Sequence, residues 1–302
     1  MGELLRLQIE WIVALQQHAT PSLDAFFRVF TDFGGRYYLL LVPALLWCVD
    51  HRTGTRVLVL MAFTLFLNTA LKEWIADPRP FQLDERVISE GEEGYGLPSG
   101  HAQLVVVFWG AIAAWVGRSG FWALALGIMF LMGFSRVYLG VHFPTDVLVG
   151  WALGALTLWV YLRRREAIES WLARQAQPAL LAVALGVVLV AFDRVLVRDE
   201  HFIAAGSGGF LAGAGIAAAL AVRRLDFRGH GVWWRRLLRY LVGLALTLPV
   251  LGVMQRLGLP DGFVGIPVLF LDLALFAFWI AFAMPWLFGK IRLGDAPATS
   301  SA

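Results

Sequence analysis

Ser135–Asp146 reads SRVYLGVHFPTD. It closes one apolar segment, turns through Gly140 and opens the next at Pro144. Within it lie Arg136, His142 and Asp146, in a chain otherwise made mostly of Leu, Val, Ala, Phe and Trp. Ionisable side chains are expensive deep in hydrocarbon and seldom stand there without a use. The stretch therefore reads as a short helix-to-helix connection that carries part of a site, and the rest of the chain reads as its scaffold.

Composition sets the medium. Of 302 residues, 59% are hydrophobic and 16% charged, with a mean hydropathy of +0.69. Soluble domains carry about 25% charged residues. Apolar runs recur along the whole length, which predicts an all-α fold: a polytopic transmembrane helical bundle. The net charge of +3 is modest, and the basic residues cluster between apolar runs. That pattern speaks for membrane topology and against nucleic acid as a partner. The one cysteine, Cys48, has no partner for a disulfide and no metal-ligand spacing around it. Glu3 and Glu10 interrupt the apolar stretch that a signal peptide would need.

Working outward from the opening stretch, the expected spans before it are Arg36–Val49, Leu58–Ala76, Gly100–Val116 and Phe121–Leu139, and the span it opens is Phe143–Leu162. Residues 3–18 and 21–34 are amphipathic and read as interfacial helices, with a membrane crossing as the alternative for the first. After a charged linker come Ala179–Val197, Ile203–Val222, Leu237–Met254 and Phe263–Phe288. The chain thus divides into a core of about five to six helices in residues 1–165, a linker at 166–178, and a four-helix transmembrane extension in 179–302. In that extension, Gly209 and Gly213 have the four-residue spacing that lets membrane helices approach closely.

The basic residues orient the bundle. Arg52, Arg56, Arg118, Arg163, Arg164, Arg165, Arg223, Arg224, Arg228, Arg235, Arg236, Lys290 and Arg292 all fall on one side if each run spans. By the positive-inside rule that side is cytoplasmic. Residues 77–97 and the turn at 140–142 then lie on the other side. This orientation uses no motif.

Three segments meet that outer face: Lys72–Pro80 (KEWIADPRP), Pro98–His101 (PSGH) and the opening stretch. Pro78 and Pro80 break the helix that carries Lys72, so Arg79 follows in extended chain, with Asn68 one turn below Lys72. Two fixed cations suit an anion with several oxygens, although the pair alone reads as readily as snorkelling to lipid headgroups. Pro98 suits a first helical turn, so Ser99, Gly100 and His101 would present backbone N–H groups to an anion. Taken alone, Pro-Ser-Gly is common loop chemistry. His142 and Asp146 are four apart and share a face if the helix starts near Pro144. A carboxylate on Nδ1–H would leave Nε2 as a free lone pair. Arg136, one helix earlier, would hold phosphate oxygens. The acidic residues Asp84, Glu85, Glu90, Glu92 and Glu93 between these segments read as a solvated loop that could shape an entrance.

In order and spacing the three segments resemble the signature of the type-2 phosphatidic acid phosphatase family, which is related to the vanadium-dependent haloperoxidases. The match falls on Lys72, Arg79, Pro80, Pro98, Ser99, Gly100, His101, Ser135, Arg136, His142 and Asp146, without departure, and covers about residues 20–165. The resemblance implies that His142 is a nucleophile forming a phosphohistidine and that Asp146 orients it. It implies that His101 is the general acid and base, and that Lys72, Arg79, Ser99, Gly100 and Arg136 hold the phosphate. No cofactor and no metal is implied.

These readings lead to a membrane enzyme that hydrolyses a lipid phosphate monoester or pyrophosphate on the non-cytoplasmic face. The Ala, Gly, Arg and Leu bias places it in a bacterial plasma (inner) membrane, facing the periplasm or exterior. The alternatives are a lipid phosphotransferase with the same site and a non-enzymatic lipid-phosphate binder or transporter. A pure binder has no use for the His142–Asp146 pair and a second histidine. Haloperoxidase chemistry does not call for a site beside lipid.

Overall fold

The computed structural model describes residues 2–32, 34–174, 203–257 and 265–294, with isolated positions at 177, 180, 183, 184, 186 and 187. Every element among these is helical: α1 (Glu3–Gln16), α2 (Pro21–Asp32), α3 (Tyr38–Ala44), α4 (His51–Ile75), α5 (Pro80–Leu83), α6 (Gly100–Val116), α7 (Ser119–Tyr138), α8 (Pro144–Arg174), α9 (Ile203–Arg224), α10 (Trp233–Leu257), α11 (Gly265–Phe278) and α12 (Met284–Lys290). The expected span Ala179–Val197 lies outside the described residues, apart from the isolated positions.

Among the described residues, 6 segments are long and apolar enough to cross a membrane: His51–Leu83, Ser119–Tyr138, Pro144–Trp171, Ala205–Arg224, Trp233–Val253 and Gly265–Lys290. Gly100–Val116 and Tyr38–Val49 are apolar but shorter. The latter is α3, with Pro43 inside it, continued by a wider π turn over Leu45–Val49.

Helix ends differ from expectation most clearly at α4 and α8. Arg52 and Arg56 were expected in a loop, yet α4 already begins at His51. The Asp50 carboxylate accepts the Thr53 N–H at 2.6 Å and caps that early start. Arg163, Arg164 and Arg165 were also expected in a loop, but α8 runs 31 residues and carries them as helical turns. It continues to Arg174, into the stretch read as a linker. Hydropathy marks only the lipid-facing part of a helix, whereas backbone hydrogen bonding continues into the headgroup layer.

The chain forms two compact units, Met1–Tyr38 with Leu67–Glu166, and Leu39–Phe66 with Ala167–Ala302. In the first, α6 and α7 form a hairpin. Gly117, with φ 67°, ends α6 in the left-handed conformation. Val105, Val106, Ala113, Ala125, Met129 and Met132 bury their side chains between the two helices, with Trp151 of α8 and Phe30 of α2 packed on them. The amphipathic helix α1 lays Ile9 and Ile12, both fully buried, against Val87 and Phe143. It leaves Leu4, Leu7 and Trp11 exposed on its other face.

The second unit holds the C-terminal helices. A Cβ at Gly209 or Gly213 of α9 would clash with the α11 backbone at Phe270 or Ala274. The small-residue spacing therefore marks a close helix crossing. In the same unit, Arg52 and Arg56 converge on Glu169 at 3.4 and 2.7 Å.

Candidate active site

Every residue singled out for chemistry lies in the first unit. The α7–α8 connection builds the centre. Gly140, with φ 68°, makes the turn. A Cβ there would also lie 2.7 Å from the Ile88 carbonyl oxygen. Pro144 is the first residue of α8, so Asp146 falls at its third position. From there Oδ2 of Asp146 accepts the Phe143 N–H at 2.9 Å, half of a capping box, and faces Nδ1 of His142 at 3.3 Å. The same carboxylate thus starts the helix and holds the imidazole.

The other side of the ring fixes the tautomer. Nε2 of His142 lies 3.4 Å from Nη1 of Arg79. A guanidinium has only donors, so the nitrogen facing it is the lone pair and the proton sits on Nδ1, toward Asp146. Burial, and then the charges of Arg136, Lys72 and Arg79 and the neighbouring His101, hold His142 well below the ordinary histidine value of 6.5. The imidazole is neutral around physiological pH.

Buried cations surround it. Arg79 is 1% and Arg136 4% exposed. Arg79 donates to three backbone carbonyls: Nε to Gly94 at 2.9 Å, Nη1 to Val141 at 2.9 Å and Nη2 to Glu93 at 3.0 Å. It therefore fastens the 84–97 segment to the α7–α8 turn as well as supplying charge. Arg136 donates Nη1 to the Thr31 hydroxyl at 2.7 Å, and its Nη2 pairs with Glu92. Glu92 also lies 3.3 Å from Arg79. Lys72, half-buried, donates to the Tyr95 carbonyl at 2.6 Å.

The N-terminus of α6 closes the arrangement. Pro98 was expected inside its first turn, but the helix begins at Gly100 with Ser99 as its N-cap. Nor are all three amides free for an anion, because the Ser99 N–H donates to the Asp146 carbonyl at 3.0 Å. That bond ties the starts of α6 and α8 together. The amides of Gly100 and His101, in the first turn, have no intrahelical acceptor. A Cβ at Gly100 would stand 2.9 Å from Oδ1 of Asn68, whose amide donates to the Pro98 carbonyl and to Gln103. His101 opens toward the α2–α3 turn, where a Cβ on Gly35 would stand 3.2 Å from its Nε2. Fully buried polar atoms without a hydrogen-bond partner include Ser99 Oγ, Arg136 Nε and Asp146 Oδ1.

Lys72, Arg79, Ser99, Gly100, His101, Arg136, His142 and Asp146 are thus contributed by the end of α4, the chain between α4 and α6, the start of α6, the end of α7, the α7–α8 connection and the start of α8. Two participants were not legible beforehand. Thr31 comes from α2, which reads as an interfacial helix. Glu92 sits in a stretch that reads as solvated loop, with no motif to mark it. Among the described residues, no group of three or more His, Cys, Asp or Glu could hold a metal ion. Chemically the assembly is a neutral imidazole with a fixed lone pair, bordered by guanidinium, ammonium, hydroxyl and amide donors.

Comparison with known proteins gives the family. Residues 53–170 match the PAP2 superfamily, and residues 205–297 match its transmembrane extension, described as "PAP2 superfamily phosphatase, transmembrane extension". The C-terminal half, which carries no motif, is therefore itself a family element. The chain is 29% identical over 197 residues to a lipid phosphate phosphatase delta of Arabidopsis thaliana, covering 59% of this chain and 47% of that protein. It thus spans about half the length of that plant relative, 47%. It is 29% identical to an undecaprenyl-diphosphatase of Sulfolobus acidocaldarius, covering 49% of this chain and 73% of that protein. It is 34% identical to phosphatidylglycerophosphatase B of Bacillus subtilis, covering 49% of this chain and 78% of that protein. With that identity over most of a relative, and with both family segments present in order, the chain belongs to the PAP2 superfamily.

Proposed function

We propose that this chain is an integral membrane phosphatase that removes a terminal phosphate, as a monoester or pyrophosphate, from a lipid. One observation carries the reading: His142 sits between Asp146 on Nδ1 and Arg79 beside Nε2, at 3.3 and 3.4 Å, so the lone pair points into the group of cations. In the first step the Nε2 lone pair forms a bond to phosphorus while the bond to the leaving oxygen breaks. His101 gives that oxygen its proton, and the lipid leaves as an alcohol or a monophosphate. Water then attacks phosphorus, losing a proton to His101 as the N–P bond breaks and free phosphate departs. Arg136, Lys72 and Arg79, the Ser99 hydroxyl and the Gly100 amide stabilise the charge on the transferring group. The relatives' names, which span monoester and pyrophosphate lipids, support the substrate class.

The site faces the non-cytoplasmic side in this reading. Within the first unit it lies at the ends of α6, α7 and α8 opposite to Arg118 and to Arg163, Arg164 and Arg165.

The test is phosphate release from purified protein over a panel of phosphatidate, phosphatidylglycerol phosphate, a polyprenyl diphosphate and a sphingoid-base phosphate. His142→Ala should lower release by about 1,000-fold or more while the protein remains folded. Wild type quenched in alkaline detergent, which spares the acid-labile N–P bond, should carry label from a radioactive phosphate at His142. A wild-type protein that releases phosphate from no member of the panel ends the proposal.

A further inference from the structure

Glu92 is a carboxylate in a site built for phosphate. It pairs with Arg136 and lies 3.3 Å from Arg79, so it bridges the two buried guanidinium groups beside His142. A side chain from a solvated loop would not stand there unless it was held. The segment around it is pinned on both sides. Arg86 reaches Asp84 at 2.9 Å and Glu10 at 2.6 Å, and Gln16 bonds the Ile88 N–H and carbonyl at 2.9 and 2.7 Å. Arg28 pairs with Glu90 at 2.8 Å, and beyond Glu92 the Gly94 and Tyr95 carbonyls are held by Arg79 and Lys72. Between the pins, Glu92 and Glu93 are flanked by Gly91 and Gly94, with φ 81° and 72° and open space where a Cβ would be. Those glycines are there for backbone conformation and not for close packing; the Glu93 carbonyl is itself held by Arg79 at 3.0 Å, so it is the Glu92 side chain, half-buried, that can leave the arginines.

We infer that Glu92 is a specificity-determining residue: an internal anion that competes for the Arg79–Arg136 pair and yields only to a terminal phosphate. This rests on the phosphatase reading. The bilayer around the site is crowded with phosphodiester headgroups, each carrying one negative charge on its phosphate. Exchanging the Glu92 carboxylate for a diester replaces one charge by one charge and still costs desolvation of the incoming group. A phosphate monoester carries about −1.5 to −2 at neutral pH and presents three acceptor oxygens, so its exchange gains charge and hydrogen bonds. A terminal pyrophosphate gains likewise. Glu92 thus acts as a charge filter, and the cost is a weaker affinity for every anion.

The experiment uses the full chain in detergent micelles as wild type, Glu92→Gln, Glu92→Asp and, as a charge control on an exposed residue of the same segment, Glu85→Gln. Tungstate binding is read from its shift of the thermal unfolding midpoint. Phosphatidylglycerol, a diester, is read both as a competitor of tungstate and as an inhibitor of phosphate release from phosphatidate. Glu92→Gln should bind tungstate only about threefold tighter, whereas the ratio of tungstate to phosphatidylglycerol affinity should fall about tenfold from its wild-type value. Glu92→Asp should lie between the two, and Glu85→Gln should match wild type. Equal competition by phosphatidylglycerol in wild type and Glu92→Gln overturns the inference. So does weaker tungstate binding in Glu92→Gln, which would make Glu92 a support for the arginines. If Glu92→Gln does not fold, the aspartate variant decides by the same two readings. The binding arms need no turnover, so loss of the phosphatase reading and loss of the filter are separate results.

Discussion

His142 owes its chemistry to what surrounds it. The Asp146 carboxylate takes its Nδ1–H, the Arg79 guanidinium faces its lone pair, and burial with the nearby cations keeps it neutral. An imidazole held low in the folded chain gains its proton on unfolding, so the unfolded chain binds more protons as pH falls below 6.5. The stabilisation from neutral His142 is complete above that value and is lost progressively beneath it. We expect the thermal midpoint to fall between about pH 7 and about pH 5, and to fall less steeply in His142→Gln, which cannot take up the proton. Parallel slopes for the two proteins would show that this imidazole is not held low. At this scale the motifs named eight residues that all fall within the first unit, because residue type and spacing can be read without the fold. They did not deliver Glu92 or Thr31. An acidic residue in a polar stretch looks solvated until its distance from Arg136 and Arg79 is known, and a threonine on an amphipathic helix has no signal at all.

The helices hold the site through close packing. A Cβ on Gly150 would lie 2.6 Å from the Ser99 carbonyl oxygen, and one on Gly154 would lie 2.7 Å from that of Gln103. These glycines, four apart on α8, let the start of α6 come near enough for the Ser99 N–H to reach Asp146. Gly150→Val should destabilise the protein by about 3 kcal/mol and reduce phosphate release, because it pushes apart the elements that carry Ser99 and Asp146. Gly127→Ala on α7, where nothing lies within 4 Å of the added Cβ, should be neutral or stabilising by up to about 1 kcal/mol. Thermal unfolding of the pair in one detergent checks both. A Gly150→Val protein as stable as wild type would mean the helices can part without loss. The Gly209–Gly213 spacing was legible in the second unit because it sits in a Gly-rich run. The pair on α8 has the same spacing, but the sequence does not say which backbone it meets.

Across the whole molecule, orientation follows from charge. The basic residues at the ends of α6, α7 and α8 away from the site predict an outward-facing site. In a Cys48→Ser background, a membrane-impermeant maleimide applied to intact cells should label Glu85→Cys and not Arg118→Cys. The reverse pattern would turn the site toward the cytoplasm. The sequence by itself determined that the chain is helical and membrane-bound, because apolar run length answers to the thickness of hydrocarbon. It also pointed to the family, through the order and spacing of three short motifs, and named the residues proposed to carry the chemistry. Helix ends were decided only by the tertiary structure, since α4 and α8 continue past the residues at which hydropathy falls. So was the placement of Glu92 on Arg136 and Arg79, with Thr31 beside it. Such contacts join side chains far apart in the chain, and their strength depends on burial and distance, which no local pattern of residues records.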